Sequence, residues 1–590
     1  MRIPSWLPLT LAAWLVAAAI AVAATFSGIR ALDLPDTDDA MRLVQVRDWF
    51  DGQAWGDIDQ KRMNPPAGAS MHWSRLADLP IIAIRGAAAP LVGTALAERA
   101  AVAIVPLLAM FFAMSMAATA GSRLGGSKAG IFAMLFLLGT GPLMSLFAPL
   151  RIDHHNWQIA LLIALLAMLS DPARRARSGI AAGLAVVASL AIGLEMLPHI
   201  ALAGAVLVIG WALDPSLGRM LRGFGVAIAL GTLAAYPLFV PHARWMVAMC
   251  DALSPAYLVA LVIAGSALVL LPSLALLSTP ARRAGGAVAA AAFAWATAAS
   301  LYPQCAAGPL AALDPRLTPM LAVITEARGL FDHVADKPAT IPYFGFYPLV
   351  GIAAGVMLWR RAEGRGRFAA ALWLVTITAS SVLMILQIRA AIGPNALAAV
   401  LCGVAAATLL PRVRTIEAMP RRLLSTLVLL ICLTSVLPTG VALAVARLSP
   451  ERPAKGDDAP GGLKACTAAA TLAPLGAMAP ATIANVRDMG PALLLHTRHR
   501  VMSGPYHRNV DAMLDSWRLW QAGDAEARRI ARRYGATLLL TCANMPEPTM
   551  AAKAAPGGLA ARLAAGRAPS WLEPVTLPAE TPLKLYRIRG

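Results

Sequence analysis

About thirteen apolar runs of spanning length recur along this chain of 590 residues, and they limit its fold more than any other feature: roughly 6–28, 97–120, 129–149, 155–170, 178–195, 198–213, 223–240, 256–278, 284–301, 343–360, 367–387, 395–411 and 422–446. A helix of about 20 apolar residues covers the hydrocarbon core, and a helix is the simplest segment that satisfies its own backbone there. The chain is therefore expected to be a polytopic α-helical membrane protein. Its hydrophobic share of 58 % is more than a soluble fold would bury. A net charge of +19 would suggest nucleic acid if it covered one soluble face. Here the arginines fall in short clusters between the apolar runs, so no nucleic-acid partner is expected.

Those clusters fix a topology. Loops containing "GSRLGGSK", "DPARRARS", "DPSLGRMLRG", "STPARRAG", "WRRAEGRGR" and "PRVRTIEAMPRR" alternate with loops poorer in Arg and Lys. Basic loops stay in the cytoplasm. The N-terminus is thus expected in the cytoplasm of a bacterial-type inner membrane and, after an odd number of crossings, the C-terminal part in the periplasm. The first run could pass for a signal peptide, but its apolar core exceeds the usual length, which favours an uncleaved first helix. After about residue 450 the composition changes. "SPERPAKGDDAPGG" reads as a linker, dividing a transmembrane domain, 1–450, with external loops 29–96 and 302–342, from a periplasmic α/β domain, 451–590. In the latter, short apolar runs "ATIANV", "ALLLHT", "ATLLLTC" and "LKLYRI" alternate with a helical stretch at "DAMLDSWRLWQAGDAEARRIARRYG". Cys466 and Cys542 fall there, where a disulfide is chemically permitted; two buried thiols are the alternative.

With this topology almost every unusual polar residue lands on one side. They are Asp36, Asp38 and Asp39 in the first loop, Arg151, Asp153, His154 and His155 after the third helix, and Glu195 and His199 between the fifth and sixth. His242, Glu326 in the long loop and Arg389 at the outer end of the eleventh helix complete the set. Ionisable groups so near hydrocarbon are costly and usually functional. In "PDTDDAMR", helix capping accounts for one or two acidic residues, with Leu43, Val46 and Phe50 forming an amphipathic stripe behind them. Capping leaves at least one carboxylate over, and clustered acidic oxygens suit a hard divalent cation. "RIDHHNWQ" adds three adjacent ligand or acid–base groups, of which only some can point into one site. Glu326 is either a solvated partner of Arg328 or functional, and Arg389 either anchors the helix at the interface or binds a lipid phosphate.

This pattern resembles the GT-C superfamily of membrane glycosyltransferases, and within it the catalytic subunit of oligosaccharyltransferase. That subunit carries an acidic motif in the first external loop, an Asp-His-His motif in the next with a Glu three positions on in archaeal members, and a Thr-Ile-x-Glu type motif in a long external loop. The corresponding segments here are "DTDDAMR", "DHHNWQ" with Gln158 in place of that Glu, and "VITE" ending at Glu326. The resemblance covers roughly residues 1–410 and implies a divalent metal, Mn²⁺ or Mg²⁺, among Asp38 or Asp39, Asp153 and His155. It further implies that Glu326 helps hold metal or acceptor and that Arg389 contacts the donor phosphate. The Trp-Trp-Asp-Tyr-Gly motif that recognises the peptide sequon is not found. The outer domain offers Pro505, Tyr506, His507, Arg508 and Asn509 instead, a candidate binding cluster or a packed loop.

The resulting expectation is a glycosyltransferase that moves a sugar or oligosaccharide from a polyprenyl-(pyro)phosphate donor to an unidentified acceptor on the periplasmic face. Asp38, Asp39 or Glu326 would orient or deprotonate the nucleophile. A polysaccharide polymerase or ligase would use similar chemistry. A transporter or flippase of an anionic lipid-linked glycan is the alternative, but transport usually needs polar or broken helices at mid-membrane. The predicted midplanes here are Ala, Leu, Val and Gly.

Overall fold

The computed structural model of the chain describes residues 4–309, 313–321, 328–335, 337–448 and 462–589. All thirteen apolar runs coincide with helices. Eight are single helices long and apolar enough to cross a membrane. They comprise α1 (Leu7–Ala31), α4 (Thr94–Gly125), α10 (Gly218–Phe239), α11 (Pro255–Leu270) continued by the 3₁₀ turn Leu271–Ser273, α12 (Pro280–Leu301), α14 (Thr340–Arg361), α15 (Gly366–Leu386) and α16 (Ile392–Arg414). Two further runs are helix pairs bent by 75° and 72°: α5 (Ser127–Leu138) with α6 (Gly141–Phe147), and α17 (Met419–Leu433) with α18 (Val436–Leu448). The last three are shorter apolar helices, α7 (His155–Leu169), α8 (Ala176–Ile192) and α9 (Leu197–Leu213).

Helices pack closely where the sequence supplies glycine. In the α8–α10 pair a Cβ on Gly179 would lie 2.0 Å from the carbonyl oxygen of Met220, so only glycine permits that approach. Small residues at crossings are the usual way membrane helices come together, because lipid offers no hydrophobic drive for association.

The first outer loop holds α2 (Thr37–Phe50) and α3 (Leu79–Val92). Asp36 caps α2, its side chain accepting from the Asp38 amide at 3.3 Å, and Asp38 and Asp39 sit at the positive end of the helix dipole. Of the predicted stripe Leu43 and Val46 are fully buried but Phe50 is 38 % exposed, and burial instead runs unbroken from Asp39 to Val46. The helix is enclosed by protein instead of lying on a surface. What encloses it is the C-terminal region, whose core includes Met41, Val44, Met63 and Trp73 from the first loop beside Ile483, Leu493, Val501 and Leu539. Arg47 and Arg62 extend from the loop to the carbonyls of Leu495, Thr497 and Leu494.

After the single turn α13 (Thr318–Leu321) and the membrane helices already given, the C-terminal region runs α19 (Leu463–Thr467), α20 (Ala469–Gly476), β1 (Thr482–Asn485), α21 (Gly490–His496), β2 (Arg500–Val501), α22 (Val510–Gln521), α23 (Asp524–Arg533), β3 (Leu538–Cys542), α24 (Pro546–Ala554), α25 (Leu559–Ala564), β4 (Leu572–Val575) and β5 (Leu583–Ile588). The sheet order is β2-β1-β3-β5-β4. β1 pairs parallel with β2 and β3, and β5 antiparallel with β3 and β4. The runs "ATIANV", "ATLLLTC" and "LKLYRI" are strands as expected. "ALLLHT" is not: it belongs to α21, which Pro491 opens and which is buried from Gly490 to Leu495. A short apolar run buried on all sides has no periodicity to separate strand from helix. The predicted linker falls largely outside the described residues.

Cys466 and Cys542 are disulfide-bonded, and a second disulfide, Cys250–Cys305, ties the segment after α10 to the one after α12.

Candidate active site

The site is assembled where the start of α2 meets the turn before α7. Asp36 has two jobs: one oxygen caps α2 while the other receives Arg151 Nη1 at 3.0 Å. Asp39, 0 % exposed, receives the same Arg151 nitrogen at 2.8 Å and the Asp153 amide at 2.7 Å. Both Asp39 oxygens are thus engaged by protein donors, and the residue acts as a strut between α2 and the segment 151–153. Charge-assisted bonds of this kind are the strong ones, and a buried carboxylate needs them.

Asp153 stands at the centre. Its Oδ1 accepts from the His154 amide at 2.6 Å, and its Oδ2 meets His155 Nδ1 at short range. The imidazoles of His154 and His155 stack with ring centroids 4.5 Å apart. His154 is held by carboxylates on both nitrogens, Asp153 Oδ1 at 2.6 Å from Nδ1 and Glu195 Oε1 at 3.2 Å from Nε2. Burial opposes its charge, but Asp153 and Glu195 outweigh that and push its pKa up to about 10. Glu195 is fixed in turn by Gln158, whose Nε2 donates to Oε2 at 2.6 Å. The position that departs from the archaeal motif is therefore occupied by a residue that places a different carboxylate.

Asp38 lies within the field of the same groups. Desolvation and the charges of Asp153 and Asp36 raise its pKa to about 7, against the opposing pull of His154 and His155. Asp153, His154 and His155 can each offer a ligand atom, all within 4.8 Å of one another. The donors placed for a divalent cation are Asp153, His154 and His155, mixed carboxylate and imidazole as borderline and hard divalent ions accept, and Asp38 lies in their field.

Arg42 is a neighbour that the sequence does not single out, whereas Tyr506, His507 and Arg508 belong to the expected cluster. Arg42 is fully buried, forms an ion pair with Asp78, approaches His154 Nδ1 to 3.0 Å and lies over the Trp73 ring. Its position four residues after Asp38 on one helix was the available clue. Tyr506, 1 % exposed, donates to the Thr37 carbonyl at 3.2 Å and meets Trp73 edge-on. His507 and Arg508 converge on Asp251, Arg508 with two bonds of 2.8 Å. This cluster thus joins the C-terminal region to the segment after α10.

Of the remaining expected residues, Arg389 lies in the 3₁₀ turn Ile388–Ala391 between α15 and α16, where the Ile388 amide bonds the Arg328 carbonyl. His199 is buried in α9 against Gly393 of α16. His242 is exposed and packs on Trp245, and no hydrogen bond or ion pair among the described residues ties it to the cluster. Glu326 lies outside the described residues.

No protein-family model matches the chain, and no curated protein sequence matches it. Solved structures do. The oligosaccharyltransferase of Archaeoglobus fulgidus in its apo form superposes with a TM-score of 0.68 at 13 % identity, over 90 % of this chain and 69 % of that one. The fold is that of the archaeal oligosaccharyltransferase. The same archaeal protein, AglB, in complex with an inhibitory peptide and a dolichol-phosphate gives 0.63 at 14 % identity, covering 90 % and 69 %. Its complex with Zn and sulfate gives 0.57 at 14 %, covering 90 % and 67 %.

Proposed function

We propose that the protein is a glycosyltransferase that takes a sugar or oligosaccharide from a polyprenyl-phosphate or polyprenyl-pyrophosphate donor at the periplasmic face of an inner membrane, with its N-terminus cytoplasmic. The observation that carries this reading is the convergence of Asp36, Asp38, Asp39, Arg151, Asp153, His154, His155 and Glu195 at the helix ends of a GT-C fold. A dolichol-phosphate complex of a structural neighbour supports a lipid phosphate donor, and a Zn and sulfate complex supports a metal.

In this reading Asp38, Asp153 and His155 hold a divalent cation, Mn²⁺ or Mg²⁺. Bound there, the cation would neutralise charge that grows on the departing phosphate. Asp39 and Arg151 keep Asp153 aimed, and Asp36 holds the Arg151 fork. The acceptor nucleophile attacks the anomeric carbon as the carbon–oxygen bond to phosphate breaks, the bonding pair leaving with phosphate. The nucleophile's proton passes to a carboxylate, Asp38 or Glu326. Arg389, at the outer end of α15, binds the donor phosphate. His154, charged between Asp153 and Glu195, adds fixed positive potential beside the reacting centre.

The test is label transfer from a panel of polyprenyl-linked sugars by the purified chain, with Mn²⁺, with chelator, and with Asp39→Asn and Asp153→Asn variants. Metal-dependent sugar release that both variants abolish would support the proposal. Movement of labelled lipid-linked sugar across vesicles with no release would replace it with a flippase.

A further inference from the structure

We propose that the hairpin formed by α3 and the start of α4, at the end of the first outer loop, is immersed in the acyl chains of the membrane leaflet nearest the acid–histidine cluster. This goes beyond the glycosyltransferase reading and does not depend on it. One residue, Gly93, joins the two helices, at a φ of 79° that glycine adopts without strain. The hairpin is inverted relative to a helix pair in water, because its charges point inward. Arg85 is 7 % exposed, lies over the Phe50 ring at 3.9 Å and stands 3.7 Å from Glu98. Glu98 is itself buried and receives two bonds from Arg47 of α2, of 2.8 and 2.6 Å. The apolar side points outward. Leu79, Ala83, Ala87 and Leu91 recur every fourth residue along one face of α3, and all four are exposed. The run "AAAPLVGTAL", from Ala87 to Leu96, carries no charge, and at the tip Leu91 is 84 % exposed and Leu96 55 %. A helix that faces water carries its polar groups outward, and contiguous apolar surface of this kind marks contact with an apolar partner.

That partner is lipid, because the exposed surface runs on along α4, a helix long and apolar enough to cross a membrane, to Ile104 and Leu108. The intervening Arg99 donates to the carbonyls of Arg30 and Ala95, so this charge is turned to backbone oxygens at the ends of α1 and α4, as suits a cation at the edge of hydrocarbon. At 1.5 Å per residue the 14 residues of α3 cover about 21 Å, short of the roughly 30 Å of the hydrocarbon core. The hairpin therefore occupies one leaflet, and the chain makes no extra crossing there. The opposite end of α3 begins beside Asp78, which pairs with Arg42 next to His154. The hairpin thus reaches from the acyl chains to the acid–histidine cluster within the length of a single helix.

The test uses the full chain in lipid nanodiscs, with Cys432→Ser to remove the exposed free thiol. A nitroxide is attached through Leu91→Cys or, separately, Leu96→Cys, and its collisions with oxygen and with a water-soluble nickel chelate are read by EPR power saturation. Leu108→Cys marks lipid, and Ala525→Cys, exposed on α23, marks water. Because polar solutes are excluded from hydrocarbon, the oxygen-to-nickel ratio at both tip positions is expected within about threefold of that at 108 and about tenfold or more above that at 525. Wild-type hydrogen exchange over residues 505–521 identifies the folded variants, and the two tip positions report independently should one variant fail to fold. A ratio at the tip equal to that at 525 would overturn the proposal by placing the hairpin in water. Few collisions with either reagent would overturn it as well, since that result marks a protein surface packed on the tip. The reading needs no sugar donor, so its outcome is separate from that of the transfer assay.

Discussion

Replacing Arg508 by Met would break the seam that joins the C-terminal region to the membrane helices. Arg508 gives two 2.8 Å bonds to Asp251 and a third, of 2.5 Å, to the Met71 carbonyl, and both members of the ion pair are largely buried. Removing one member of such a pair leaves a charge with too few partners, at a cost of about 3–5 kcal/mol. His507 still donates to Asp251 at 2.7 Å, so we set the loss at about 2–4 kcal/mol. At about 1.4 kcal/mol per tenfold, that is roughly 30- to 700-fold faster opening of the seam. Amide hydrogen exchange over residues 505–521 reads it directly. A double-mutant cycle with Asp251→Asn should return a coupling of about 2 kcal/mol. Exchange within twofold of wild type would refute the reasoning. The sign with pH is also fixed. Burial pushes the Asp251 carboxyl up, but hydrogen bonds from His507 and Arg508 outweigh this and hold it well below the usual range. The pair therefore contributes stability above the unfolded value of about 3.9, lost progressively as pH falls below it toward the folded value. Removing Arg508 moves the folded value of Asp251 back up, so the difference in seam opening between the Met variant and wild type should shrink as pH falls through this range.

Other consequences follow from single contacts. Gly179→Ala places a methyl 2.0 Å from the Met220 carbonyl, so thermal stability in detergent should fall by at least about 1–3 kcal/mol; an unchanged midpoint would mean the α8–α10 crossing is looser than described. Gln158→Glu sets a second carboxylate beside Glu195 Oε2, 2.6 Å from the present amide nitrogen. Two such groups hold a proton to higher pH than one, so the variant's loss of stability relative to wild type should be larger at pH 8 than at pH 6. Equal losses would place Glu195 elsewhere.

Much of the membrane architecture is legible in the sequence because hydrophobicity acts locally: each of the thirteen runs is a helix or a bent pair, and only the breaks at Gly139–Thr140 and Thr434–Ser435 escape a reading by run length. The site was legible in part, since carboxylates and histidines near lipid are few. Asp36, Asp39, Arg151, Asp153, His154, His155 and Glu195 are linked by hydrogen bonds, and Asp38 lies in their field. What stayed hidden depends on long-range packing. Asp251 is an ordinary loop residue until Arg508 reaches it from 257 positions away, and Arg42 reads as one more surface arginine until Asp78 and Trp73 enclose it. The burial of α2 on nearly every side could not be read from its own sequence either, because its partner α21 lies more than four hundred residues on.

The central claim is that sugar leaves a polyprenyl phosphate at the cluster around Asp153. The most direct measurement is single-turnover release of labelled sugar from polyprenyl-phosphate and polyprenyl-pyrophosphate donors, with Mn²⁺ present, comparing wild type with Asp153→Asn and His155→Gln. The account predicts release by wild type and a fall of about 10³-fold or more in both variants, with the hydrogen exchange of residues 505–521 unchanged. Release at the wild-type rate from folded variants would contradict it.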